Sequence, residues 1–494
     1  MRNPARNLEV LVHSLCRQRR LPSLVTDLIA GNMDQPEVSI ITLSTVSREL
    51  HQYAILMIYE EIVIDFSQSP SAVQKAALLL RTLHSNKVAA GAIMSLRLTG
   101  KGLATPHRID FEDRRAGHAL ADEINLEDIA RWKPSQDWAR PMTRQCFAAY
   151  LVIPRICLQL MSLSMRLENL DVGCAMLDYP EFREAWIAMR ESTKHLGLQA
   201  LRSCSIGLDA VKTGNMGVYI NFAQGWDPAL LMPFVAPKIE SVSVVMTLAL
   251  GSMGHLPVSS LTRLVLHHYQ YRDCEVNSLL AATPKLRYLE YHALVEHGFS
   301  WGPRIDLGLE IVYGAMHNIS DTLEELVATQ VYVSNDNCFE GGYEDWHPQP
   351  DLHIESLTSM KRLRSLSLPY LSLLGRTSRE ASNWEWNKVL ASSLRSLTLT
   401  SHLSENECNY EPSWGDEDED LMATFMTLLD WMVMDETGGQ QSTFALIFDG
   451  LCDHHFPDRR QQQELDLFCK ERHIQFSLTK LPWGKYPGQR WPPA

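Results

Sequence analysis

The residues best suited to metal chemistry cluster near the end of the sequence, in the stretch CDHHFPD between Cys452 and Asp458. Cysteine, histidine and aspartate all supply ligand atoms for zinc. Two adjacent histidines seldom point the same way in a strand, because successive side chains alternate between its faces, and no second donor pair follows at zinc-finger spacing. We therefore expect a surface loop here, with metal-assisted catalysis at Asp453 and His455 as the alternative.

The common catalytic signatures are missing from the sequence. It contains no P-loop, no GxSxG nucleophile elbow, no HExxH zinc motif and no paired CxxC. His267, His268 and Cys274 form a second group of donors, but their position where a predicted strand ends favours side chains that face solvent. The sequence thus predicts a protein that is not an enzyme and that needs no cofactor.

The composition limits the partners and the environment of the chain. Its 494 residues are 45% apolar and carry a formal net charge of −14. Basic residues form no evident stripe, so we expect no nucleic-acid partner.

Ten scattered cysteines favour reduced thiols. No window approaches the roughly 20 apolar residues of a membrane span, and the N-terminus lacks the features of a signal peptide. We expect a location in the cytoplasm or the nucleus and no contact with a membrane.

A recurring apolar pattern indicates which elements would position functional residues. The stretch LRSLSL at Leu363 returns as LRSLTL at Leu394, and the same LxxLxL form also begins at Leu261 and Leu368. When other apolar residues are allowed, further matches begin at Leu167, Leu201, Ile239, Leu286 and Leu323. Most of these starts are about 20 to 40 residues apart, the spacing of stacked repeats. Each interval has room for one strand and one helix.

One unit of this pattern can be interpreted residue by residue. Leu264 and Leu266 alternate with Arg263, Val265 and His267 as in a strand, and Thr283-Pro284 would end a following helix. The apolar residues on one face of that helix are Val276, Leu279 and Leu280. We predict an α/β solenoid similar to leucine-rich repeats, with a curved parallel sheet and outer helices. The alternative, a doubly wound sheet, would place a glycine-rich phosphate turn after an early strand, and the sequence has none.

The N-terminal segment follows a different pattern. From Leu21 to Ile64 it reads LPSLVTDLIAGNMDQPEVSIITLSTVSRELHQYAILMIYEEIVI, with two or three short helical runs. Helices that together span about 45 residues are too small to be stable alone. We expect them to pack against another part of the chain or against a partner.

Several motifs resemble those of fungal-type F-box and leucine-rich-repeat proteins. The F-box-like motifs are LP at Leu21–Pro22, DLI at Asp27–Ile29 and LSTVSRELH at Leu43–His51. The following YAILMIYEEIVID is similar to the strand that leads into the repeats of that family. Leu78–Leu98 and Leu279–His292 resemble further landmarks. The resemblance covers most of the chain.

The resemblance implies a substrate-recognition subunit of an SCF-type cullin-RING ubiquitin ligase. The F-box helices would bind the adaptor subunit and the repeats an unidentified protein substrate, while other subunits transfer ubiquitin. The adaptor-binding residues that it implies are Leu21, Pro22, Leu24, Leu28, Ile29, Leu43, Val46 and Leu50. The alternative is a repeat scaffold without a ligase role, whose N-terminal helices only cap the solenoid.

A partner is expected on the concave sheet face, because the leucines of each LxxLxL strand point to the opposite, core side. The residues on that face are Arg263, Val265, His267, Tyr288, Glu290, His292, Glu325, Val327 and Thr329. Tyrosine, arginine and histidine suit a protein partner. The alternative is that they are ordinary solvated strand residues.

These patterns divide the chain into three parts. Residues 1–65 form the F-box-like helical domain, residues 66–481 the irregular leucine-rich-repeat solenoid, and residues 482–494 a proline-rich tail. Charged or polar insertions interrupt the solenoid at about 101–141, 334–351 and 404–420.

Overall fold

The structure, a computed structural model, describes sixteen segments of the chain. These are residues 55–66, 70–100, 148–173, 176, 197–208, 233–246, 260–270, 276–297, 315–334, 357–369, 390–400, 403–404, 426, 428–430, 445–451 and 459–480. The F-box-like residues from Leu21 to Leu50, the CDHHFPD stretch, the tail and nearly all of the three insertions lie outside them. The chain divides into two compact units, residues 1–203 and 204–494.

The first unit contains a parallel sheet of short strands with helices between them. Its elements are β1 (Glu61–Asp65), α1 (Pro70–Ser85), α2 (Lys87–Ala92), β2 (Ser95–Thr99), α3 (Ala148–Leu163), β3 (Asn169–Val172) and a 3-10 helix (Gly197–Ala200). β2 pairs in parallel with β1 on one side and β3 on the other. Asn86 separates α1 from α2, because its Oδ1 accepts hydrogen bonds at 3.1 Å from the amides of Val88 and Ala89 and so caps α2.

The second unit repeats the same architecture over more strands. Its elements are β4 (Ser203–Ile206, whose first residue belongs to the first unit), β5 (Ser241–Met246), β6 (Arg263–Gln270), α4 (Val276–Ala281), β7 (Tyr288–His297), a 3-10 helix (Met316–Ile319), β8 (Glu325–Ser334), β9 (Ser365–Pro369), β10 (Ser396–Thr400), β11 (Leu403–Ser404), β12 (Ala445–Leu451), α5 (Arg459–Glu471) and β13 (Gln475–Lys480). The strands lie side by side in chain order, except that β11 pairs with β8 and β12 follows β10 directly. The pairings described from β5 to β13 are parallel.

The core of the second unit is a ladder of apolar side chains from successive repeats. Leu264, Leu289, Leu326, Leu366 and Leu397 are paired in register across β6 to β10, and each is fully buried. In the eight predicted repeats, whose starts are Leu167, Leu201, Ile239, Leu261, Leu286, Leu323, Leu363 and Leu394, the strand begins two residues after the first apolar position of the template. The overlapping match at Leu368 lies inside β9. The prediction of an α/β chain with a parallel, solenoid-like succession of strands is confirmed.

Backbone hydrogen bonds join each repeat to the next where the strands begin. The carbonyl oxygen of Thr262 accepts hydrogen bonds from the amides of Arg287 and Tyr288, at 2.9 and 3.0 Å. The carbonyl oxygen of Arg287 accepts equivalent bonds from Glu324 and Glu325, at 2.8 and 2.9 Å. The same arrangement recurs in later repeats, so equivalent residues of neighbouring repeats lie side by side.

Five strands lie outside the repeats that the template predicted: β1, β2, β11, β12 and β13. In three of them the first template position is not aliphatic. Tyr59, Thr443 and His473 stand two residues before β1, β12 and β13. His473 has a φ of 58°, in the left-handed region that few non-glycine residues adopt. None of the helices in the described segments is long and apolar enough to cross a membrane.

Candidate partner-binding face of the sheet

The side chains that alternate with the core leucines on β6, β7 and β8 form one face of the sheet, which we call the polar face. Parallel pairing arranges them in three rungs. The first rung is Arg263, Tyr288 and Glu325, the second is Val265, Glu290 and Val327, and the third is His267, His292 and Thr329. The structure thus brings all the residues predicted for the concave face together on adjacent strands.

Glu290 links the first rung to the second. The Tyr288 hydroxyl donates a hydrogen bond to its Oε2 at 2.7 Å, and Nη2 of Arg263 lies 3.4 Å from the same oxygen. The Arg263 guanidinium also stacks over the Tyr288 ring, 3.6 Å from its centroid. A cation and an aromatic ring at the start of β6 and β7 are therefore held in one orientation by a single carboxylate.

His292 links the second rung to the third. Its Nε2 donates a hydrogen bond to Oε1 of Glu290 at 2.9 Å, and its Nδ1 lies 2.6 Å from Oγ1 of Thr329. The His267 ring stacks on the His292 ring with centroids 4.4 Å apart and an angle of 10° between the planes. We call Arg263, Tyr288, Glu290, His292 and Thr329 the polar network.

Burial and hydrogen bonding determine the charges within the polar face. Burial disfavours the ionised form of Glu290, but hydrogen bonds from His292 and Tyr288 and nearby positive charge outweigh it and lower the pKa of this carboxyl to about 2. Burial and the bond to Glu290 raise the pKa of Tyr288 to about 12. Burial, together with the charge of His292, lowers the pKa of His267 well below its usual range. At neutral pH, Glu290 is ionised while Tyr288 and His267 are neutral.

Accessibility differs between the rungs. Arg263 and Glu325 are exposed and Tyr288 is half-buried. By contrast, His267, Glu290 and His292 are only 5%, 6% and 3% exposed. A ligand can therefore touch the first rung directly, while the buried groups fix the geometry of that rung.

This burial corrects two expectations from the sequence. The alternative of ordinary solvated strand residues is wrong for His267, Glu290 and His292, and so is the expectation that His267 faces solvent. Alternation identifies the face of a sheet on which a side chain lies, but it does not show whether that face is covered.

A hydroxyl, an imidazole and a carboxylate in a row also occur in hydrolytic triads. Here the ring nitrogens of His292 are used in the reverse order of that template, with Nε2 toward the carboxylate of Glu290 and Nδ1 toward the hydroxyl of Thr329. The second oxygen of Glu290 is occupied by Tyr288. We therefore interpret the polar network as a device that positions side chains for binding.

A group of basic residues elsewhere in the second unit was not predicted from the sequence. Arg364 and Arg395 follow the first leucine in LRSLSL and LRSLTL, and they line one pocket together with Lys361 and Arg362. The arginine shared by the two near-copies was the signal that could have revealed it.

No model of a protein family matches the chain, and no curated protein matches it. Within the described segments, no group of three or more histidine, cysteine or acidic side chains could hold a metal ion. The three cysteines described, Cys157, Cys204 and Cys469, are buried free thiols.

Proposed function

We propose that this chain is a protein-interaction protein whose polar face binds a segment of a partner protein. We further propose that it acts as the substrate-recognition subunit of an SCF-type cullin-RING ubiquitin ligase. In this proposal the repeats hold the substrate, and the F-box-like motifs between Leu21 and Leu50 bind the adaptor subunit.

The observation that supports partner binding is the preorganised first rung. Arginine and tyrosine are among the residues that contribute most at protein interfaces. Glu290 holds both side chains before a partner arrives, so binding does not have to fix their rotamers. Glu325 on the same rung adds an exposed negative charge, so the surface can recognise a segment of mixed polarity.

The ligase role depends on the resemblance of the N-terminal motifs to an F-box. The succession of parallel repeats is compatible with that role, because repeat arrays offer a long binding surface. The alternative, a scaffold whose N-terminal helices only cap the repeats, makes a different prediction about Leu28 and Val46. In a cap these residues would be buried on the chain itself, whereas in an F-box they would be available to an adaptor.

The experiment is capture of the purified adaptor by the full chain and by a Leu28→Asp, Val46→Asp variant. We expect capture by the native chain and loss of capture by the variant, with the folded state of both checked by circular dichroism. Leu467→Asp is the matched control, because Leu467 is 60% exposed on α5 and should tolerate the charge. Absence of capture by the native chain would favour the scaffold.

A further inference from the structure

A pocket of about 440 Å³ lies in the second unit where β9 and β10 begin. Its lining consists of Glu324, Lys361, Arg362, Arg364, Ser393 and Arg395. Pockets of a few hundred Å³ accommodate small ligands or the side chain of a bound peptide. This pocket has a different lining from the polar face, and none of the residues of the polar network contributes to it.

The repeat geometry brings the two arginines of the LRSL motifs together. The backbone amide of Arg364 donates a hydrogen bond to the carbonyl oxygen of Glu324 at 2.7 Å. The backbone amide of Arg395 donates an equivalent bond to the carbonyl oxygen of Arg364 at 2.8 Å. The two arginines thus occupy equivalent positions on neighbouring repeats, which are about 5 Å apart in a sheet. Lys361 and Arg362 come from the turn before β9.

Positive charge dominates the pocket. Four cationic side chains line the pocket, and Glu324 supplies the single carboxylate in its lining. Oε1 of Glu324 lies 3.8 Å from Nε of Arg287, a residue outside the pocket. Nζ of Lys361 lies 3.5 Å from Oδ1 of Asp321. Because both side chains are mostly exposed, this ion pair is weak. Within the described part of the chain, neither Arg362 nor Arg364 forms an ion pair.

One of the arginines is already held in place. Nη1 of Arg395 donates a hydrogen bond to the carbonyl oxygen of Leu394 at 2.9 Å. The hydroxyl of Ser393 donates to the carbonyl oxygen of Leu363 at 2.8 Å, which ties the turn before β10 to the preceding repeat. The turn before β10 and the side chain of Arg395 are therefore held by hydrogen bonds within the chain.

We propose that this pocket binds the phosphate group of a phosphorylated segment of a partner protein. Guanidinium groups donate pairs of hydrogen bonds that match phosphate oxygens, and a phosphate monoester carries up to two negative charges and three acceptor oxygens. A nucleic acid fits less well, because only four cations line the pocket and the formal net charge of the chain is −14. The inference depends on the proposed function only in that a protein carries the phosphate.

The test measures binding of the full chain to an immobilised degenerate peptide pool with one fixed phosphoserine. The reference is the same pool with serine at that position. We expect binding to the phosphoserine pool only, competition by millimolar inorganic phosphate, and loss of about tenfold or more in affinity in the Arg364→Ala, Arg395→Ala variant. The Arg364→Lys, Arg395→Lys variant keeps the charges and should fall between the two.

The matched control is the Arg202→Ala, Lys285→Ala variant. It removes the same number of positive charges, and Arg202 holds the repeat position equivalent to Arg364 outside the pocket. We expect its affinity to stay within about twofold of the native chain. Equal binding of both pools, no binding to either, an equal loss in the control variant, or stronger competition by a twelve-residue oligothymidylate would each overturn the proposal. Because no adaptor is present, a failure here is distinct from a failure of adaptor capture.

Discussion

The Nε2 atom of His292 lies 2.9 Å from Oε1 of Glu290, and both side chains are almost completely buried on the same face of β7. Because the other carboxylate oxygen accepts from Tyr288, one buried charge connects the exposed start of the polar face to its interior. Such a network is stabilising only while every member has its partner.

Removal of the buried carboxylate should destabilise the fold. We expect Glu290→Ala to lower the free energy of unfolding by about 3 kcal/mol, because His292 and Tyr288 would lose their acceptor. Glu325→Ala is the matched control, since Glu325 is exposed on the neighbouring strand, and it should change stability by no more than about 0.5 kcal/mol. Urea unfolding measures both. Equal effects of the two substitutions would contradict the role of Glu290.

Acid should weaken the fold through the same carboxylate. The pKa of Glu290 is lowered from 4.5 to about 2, so its contribution to stability is present above pH 4.5 and is lost as the pH falls toward 2. At pH 3 the loss should be about 2 kcal/mol relative to neutral pH. Urea unfolding at pH 7 and pH 3 tests this. The Glu290→Gln variant, which cannot titrate there, should lose less than the native chain, and an identical loss would refute the assignment.

His267 should produce a separate effect at milder pH. Its pKa in the folded chain is well below 6.5 because of burial and the charge of His292, with Glu290 opposing. The unfolded chain therefore takes up a proton first as the pH falls, and stability decreases from about pH 6.5 downward. His267→Phe keeps a ring that can stack on His292 but cannot titrate. The variant should show a shallower decrease in urea unfolding between pH 7 and pH 5, and an unchanged slope would contradict this account.

The leucine ladder should carry much of the stability of the second unit. Leu366→Ala should cost about 2–5 kcal/mol, because a fully buried side chain is lost and a cavity remains. Leu467→Ala makes the same chemical change at a 60% exposed position and should cost no more than about 0.5 kcal/mol. Thermal or urea unfolding compares them. A similar cost at the two positions would mean that the repeats do not share one core.

The repeat strands could be predicted because burial imposes one requirement in every repeat. Positions such as Leu289 and Leu366 must be apolar wherever a strand packs between neighbours, and this rhythm is visible in the sequence. The template failed at β13 because His473, whose φ is 58°, stands where the predicted repeats have an aliphatic residue.

The candidate site could be predicted only in outline. Alternation placed Glu290 and His292 on one face, but their burial and mutual hydrogen bond depend on contacts that a sequence pattern does not encode. The basic pocket was not predicted because Arg364 and Arg395 are far apart in sequence. Only the stacking of repeats makes them neighbours.

Site-specific photo-crosslinking tests whether a protein partner binds to the polar face. A photoreactive phenylalanine analogue would replace Arg263, whose side chain is 45% exposed, or in a control Leu467 on α5. We predict a discrete protein adduct from position 263 in cells that is absent from position 467. No adduct at position 263, or the same adducts from both positions, would contradict it.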